Sequence, residues 1–261
     1  MRPNRRRPLS AVLLLSALLP LAPARRLAAQ SAPPAPEAAS DPKADQVAAQ
    51  VLDALGGKAA WDNTHYLHWT FAGRRAHTWD KWTGQHRVEG EDKEHHKYVV
   101  IENINTHEGK AWLDGKPVTG DALKPMLDNA YGAWVNDTYW LLMPYKMKDP
   151  GVHLTYAGEE TIDGKAYDKL HLSFGKVGLT PGDEYWAWID KSTHLMDRWA
   201  FHLESMKPED PPSPWAWTGW QRYGKIMLAP HRSQLAGGDR KLELGDIAVS
   251  DSVPASTWTG P

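Results

Sequence analysis

The 12 histidines and 32 acidic residues of this chain are enough material for metal or acid–base chemistry, but their spacing does not assemble it. His95 and His96 are adjacent, so a strand would send them to opposite faces, and His65 and His68, three apart, also diverge. A zinc site needs three or four convergent ligands, and no pair of histidines stands at helical H-x-x-x-H spacing. The serine elbow G-x-S-x-G does not occur, and Ser173 sits in the ordinary strand pattern of Leu172-Ser173-Phe174. Glu159-Glu160 and Asp183-Glu184 are neighbours that alternate faces in a strand, whereas a glycosidase pair must face each other across a bond. They read as solvated turn charges. With Cys 0, thiol nucleophiles, disulfides and lipobox acylation are excluded. The expectation is a protein without metal or cofactor.

The aromatic residues are more orderly. There are 14 tryptophans against 3 phenylalanines, and many stand two apart: Trp186 and Trp188, Trp215 and Trp217, Trp69 and Phe71. Side chains two apart share one face of a strand, and indole combines a large apolar surface with one N–H donor. A ligand-binding set follows: Trp69, Phe71, Trp79, Trp186, Trp188 and Trp199 from strands, facing Trp134, Trp140, Met143 and Tyr145 from a helical insert. Such walls either fill a core or enclose a cavity for a hydrophobic or amphipathic molecule such as a lipid. Arg75, His77, Asp80 and Arg198 share strands with these indoles and could orient a polar head group.

The elements that must position these residues are mostly strands. Asp41 caps a helix with Pro42 at its first position. Val47, Val51, Leu52 and Leu55 line that helix, and Gly56-Gly57 closes it. Short alternating runs follow at 64–72, 75–82, 85–90, 97–105 and 108–113. They resume at 152–160, 165–174, 184–190, 194–203, 215–223, 225–235 and 241–249. Turns such as Asp114-Gly115 and Asp163-Gly164 join them. Twelve strands with short connections predict an antiparallel meander. The insert, 119–148, repeats apolar residues at helical spacing on most sides, so it must be covered on most sides. Pro125 and Pro144 predict two short helices, with Asn136-Asp137-Thr138 as a cap at the break. Gly132 and Pro144 would be the hinges of a lid. The fold class expected is mainly β with an α insert: a curved, unclosed antiparallel half-barrel under a helical lid.

Residues 1–29 read as a signal peptide: Arg5-Arg6-Arg7, an apolar stretch from Ala11 to Leu21, and small residues before Gln30. Residues 30–41 form a Pro/Ala-rich linker and 42–261 a single domain. Removing the leader takes six arginines and leaves 24 basic against 32 acidic residues. That balance argues against nucleic acid or an anionic membrane as partner. A periplasmic or secreted monomer is expected.

This order resembles the LolA-like family of periplasmic lipoprotein and lipid carriers. The points of likeness are the leading helix ending in Leu52-Asp53-Ala54-Leu55-Gly56-Gly57, the central insert, the strand pair from Glu184 to Trp199, and the last strand with its aromatic-Pro tail from Asp246. Thr83–Glu89 and Asn136–Val152 are similar to a family of exported bacterial proteins placed near that fold. The resemblance spans roughly residues 45–261. It implies a half-barrel whose lid encloses acyl chains, no catalysis, and an envelope protein as a further partner. Two rival readings remain: an envelope interaction or glycan-binding module with exposed indoles, and a hydrolase using cavity histidines and carboxylates.

Overall fold

The computed structural model describes residues 41–261. The expected signal peptide and all of the expected linker but Asp41 lie outside them. Helix α1 (Pro42–Ala54) begins where Asp41 accepts the N–H groups of Lys43 and Ala44 at 2.9 and 3.2 Å. Val47 and Val51 of its apolar stripe, and Leu55 just past its end, are fully buried, and Leu52 is partly buried. A short helix α2 (Lys58–Asp62) follows.

Six strands then form one half of a sheet: β1 (Tyr66–Phe71), β2 (Arg75–Asp80), β3 (Gln85–Glu91), β4 (Lys97–Asn103), β5 (Glu108–Leu113) and β6 (Lys116–Val118). Helix α3 (Leu123–Lys146) leads to the other half. That half comprises β7 (Val152–Ile162), β8 (Lys165–Phe174), β9 (Glu184–Asp190), β10 (Met196–His202), β11 (Ser213–Thr218), β14 (His231–Gln234) and β15 (Lys241–Ser250). Between β11 and β14, the short β12 (Gln221–Tyr223) and β13 (Ile226–Leu228) pair as a separate hairpin. The 13 strands of the main sheet run in the order β6-β5-β4-β3-β2-β1-β15-β14-β11-β10-β9-β8-β7. Every pairing is antiparallel, and β1 pairs with β15, joining the halves. The ends, β6 and β7, do not pair with each other, so the sheet is unclosed, as expected. Helix α3 connects these two open edges and lies on the inner face.

Two of the expected strands are each broken in two. Gly219, at φ +80°, ends β11, and Pro230, which has no N–H for a ladder bond, separates β13 from β14. Conversely, the insert holds one helix of 24 residues rather than two. Pro144 lies within its last turn, where the missing N–H frees the carbonyl of Trp140. The Arg232 guanidinium, wholly buried, donates Nη2 to that carbonyl at 2.7 Å. It gives Nη1 to the carbonyls of Ala229 and His231 and stacks on Trp217, 3.4 Å from the ring centroid. The sequence expectation failed because a helix broken by proline in isolation is completed here by a distant donor.

The C-terminal half of α3 packs Leu141, Leu142, Met143 and Tyr145 into the main core with α1 and the central strands. Its N-terminal half packs Leu127 and Ala130 onto Val88, Val100 and Ala111, a second core.

Candidate functional site

A cavity of about 570 Å³ lies between α3 and the β8–β10 end of the sheet. Tyr139 and Trp140 line it from the helix; Phe174, Tyr185, Trp199 and Phe201 line it from the sheet. Tyr185 is the hub of the strand wall: its ring centroid is 4.9 Å from that of Tyr139, 5.3 Å from Trp199 and 5.8 Å from Phe174. Burial, and then the neighbouring carboxylate of Asp183, hold the Tyr185 hydroxyl above its ordinary pKa. The β8–β9 loop forms the rim and exposes Val177 and Leu179, the latter by 54%. The size and the apolar lining are those of a small-molecule site. Trp134 Nε1, Trp199 Nε1 and the Tyr139 hydroxyl on these walls have no hydrogen-bond partner among the described residues.

Alternation along β9 decides which side chains reach the cavity. Tyr185, Ala187 and Ile189 face inward, which puts Trp186 and Trp188 on the outer face. There Trp186 stacks on His171, and Trp188 donates Nε1 to Glu160 at 2.8 Å beneath the Lys169 ammonium. Of the residues singled out from sequence, Trp134, Trp140 and Trp199 line the cavity. Trp69, Phe71, Trp79 and Met143 are packed into the core, Trp69 flat against His77 and Trp79 edge-on to Trp134. Tyr145 acts as a staple: its hydroxyl lies 3.0 Å from the carbonyl of Leu55 and 2.8 Å from that of Met227. Tyr139, Phe174, Tyr185 and Phe201 were missed. Tyr185 was legible only as the less bulky parity of an all-apolar strand.

Beneath the middle of α3 runs a buried polar chain. Asp137 is fully buried and accepts Arg75 Nε and Nη2 at 2.8 Å each. It also meets His77 Nε2 at 2.8 Å; His77 Nδ1 meets His86 Nε2 at 3.0 Å, and His86 Nδ1 meets Glu102 Oε1 at 3.2 Å. His77, His86 and Glu102 are each 0% exposed. Arg75 balances the charge of Asp137, and burial keeps both imidazoles of the chain neutral.

Arg75 and His77 are thus committed to Asp137 rather than to a head group, and Asp137 anchors the helix instead of capping a break in it. Asp80 caps the turn at Trp82 and Thr83, and Arg198 lies over Tyr167 on the outer face. Burial is the main force on the Asp137 carboxyl and pushes it up, but the bonds from His77 and Arg75 overcome it and hold it below its usual value. Burial lowers His77 and takes His86 down to about 4, against the pull of Glu102.

The sign of the linkage follows. An unfolded histidine takes a proton near pH 6.5, and the folded chain refuses it until about pH 4 at His86. Stability is therefore full above about pH 6.5 and falls as pH drops from there toward 4. Asp137 adds a further loss at lower pH still. Urea midpoints measured from pH 7.5 to 4 should fall across this window, and a flat profile would contradict the buried chain.

No family model and no curated protein matches the sequence. Among solved structures, a DUF1329 family protein from Desulfovibrio piger is similar over 84% of this chain and 98% of its own, at 11% identity and a TM-score of 0.44. A domain assigned as an outer membrane lipoprotein-sorting protein from Vibrio parahaemolyticus aligns over 83% and 96%, at 9% identity and 0.43. A LolA superfamily protein from Nitrosomonas europaea aligns over 82% and 96%, at 11% identity and 0.38. The likeness is one of fold, at low identity, and carries nothing about a ligand.

Proposed function

We propose that this is an exported binding or carrier protein that shelters the apolar part of an amphipathic molecule between α3 and the β8–β10 wall. The observation that supports this most is the aromatic cavity itself: eight rings, from Tyr131 to Phe201, around a volume large enough for a ligand. Burying each methylene of an acyl chain stabilises the complex by about 0.8 kcal/mol, so a chain of about ten carbons offsets the cost of ordering it. The exposed Val177 and Leu179 extend the apolar surface to the rim.

The test is titration of delipidated protein with single-chain amphiphiles and phospholipids, followed by tryptophan fluorescence. Saturable quenching that is lost in Trp140→Ala is the expected result. Absence of saturation with every head group would end the carrier reading in favour of an interaction module.

A further inference from the structure

The charges around the cavity point to the kind of molecule it takes. Its described wall carries one cation, Lys146, which is spent on Asp149 at 2.6 Å. Two carboxylates remain, Asp183 and Glu204. Asp183 is 5% exposed and stands just before β9, on the same face as Tyr185. It accepts the Thr180 hydroxyl at 2.7 Å, the Tyr185 hydroxyl at 3.3 Å and the backbone N–H of Glu204 at 2.9 Å. Three donors satisfy its oxygens, yet it has no ion pair among the described residues. Glu204, at the rim, accepts the N–H of Gly182 at 2.9 Å and likewise has no cationic partner. A buried carboxylate without a counter-charge is costly in an apolar wall. Electron-rich faces of Tyr139, Tyr185 and Trp199 stand beside it, and such faces attract cations.

We infer that the cavity selects amphiphiles with a cationic head group, a quaternary or primary ammonium seated by Asp183 against the Tyr185 cluster with its chain along Trp199 and Phe201. This rests on the carrier reading above and narrows it. A fatty acid would bring a second negative charge to a site that already lacks a positive one.

The experiment compares three probes below their micellar concentrations: dodecyltrimethylammonium, dodecanoate and monododecanoylglycerol. Dodecyltrimethylammonium is expected to bind at least about tenfold more tightly than dodecanoate, with added salt narrowing the gap. Asp183→Asn should bring the two within about threefold while leaving the glycerol ester unchanged. The exposed Glu204→Gln gives a smaller shift in the same direction and serves if the Asn variant folds poorly. Equal affinities for all three, or a preference for dodecanoate in the unmodified protein, would overturn the cation selectivity and leave the carrier reading intact. Failure of all three to bind would remove both.

Discussion

Replacing Asp137 with alanine is expected to destabilise the protein by about 3–5 kcal/mol, the cost of breaking a buried charge pair from one side. The reason lies in what is left behind. Arg75, partly exposed, and His77, wholly buried, would lose their shared acceptor. Asp137 also joins the two apolar clusters across which α3 is laid, so its loss should loosen the middle of the helix while both ends stay docked. Hydrogen exchange should accelerate at residues 131–140 before the central strands are affected. Converting Asp137, Arg75 and His77 together to apolar residues of similar volume should cost less than Asp137→Ala alone. If Asp137→Ala melted within a degree of the unmodified protein, the chain would not be the anchor described here.

The second large effect is expected at Trp199. It is 1% exposed, lines the cavity, and touches the rings of Tyr139, Trp140, Tyr185, Phe201 and Trp217. Trp199→Ala should cost about 3–5 kcal/mol and abolish amphiphile binding, since it removes the wall between core and cavity. Trp186→Ala, on the outer face of the adjacent strand, should cost about 1 kcal/mol or less and leave binding unchanged. Denaturant midpoints and probe titrations on the two variants read both effects. Loss of binding in the Trp186 variant would mean that the outer face, not the cavity, holds the ligand.

How far the sequence could be read depended on whether its local pattern was one-sided. In β1 the inward set, Leu67, Trp69 and Phe71, alternates with Tyr66, His68 and Thr70, and only one face can be the core. The antiparallel order, the turns at Asp114-Gly115 and Asp163-Gly164, and the α1 stripe were legible for the same reason. In β9 both parities are apolar. Bulk favoured Trp186 and Trp188, but the outer face offered Glu160, Lys169 and His171 as partners, and the smaller Ala187 and Ile189 fitted beneath the helix. The polar chain was illegible because its members come from β2, β3, β4 and α3, and only strand register brings His77 beside His86. Arg232 was hidden likewise, since nothing local marks it as the donor that replaces the N–H of Pro144.

The pairing of β1 with β15 sets the order in which the molecule can be made. These two strands sit side by side in the centre of the sheet, yet residues 72–240 separate them in sequence. Contacts so distant in sequence form slowly, because the loop they close must be ordered first. Each half can zip locally from hairpin to hairpin, but until the last long strand arrives β1 and β14 present bare backbone to any neighbour. An incomplete chain is thus the sticky species, and a holding chaperone would serve this protein most during the interval before β15 docks.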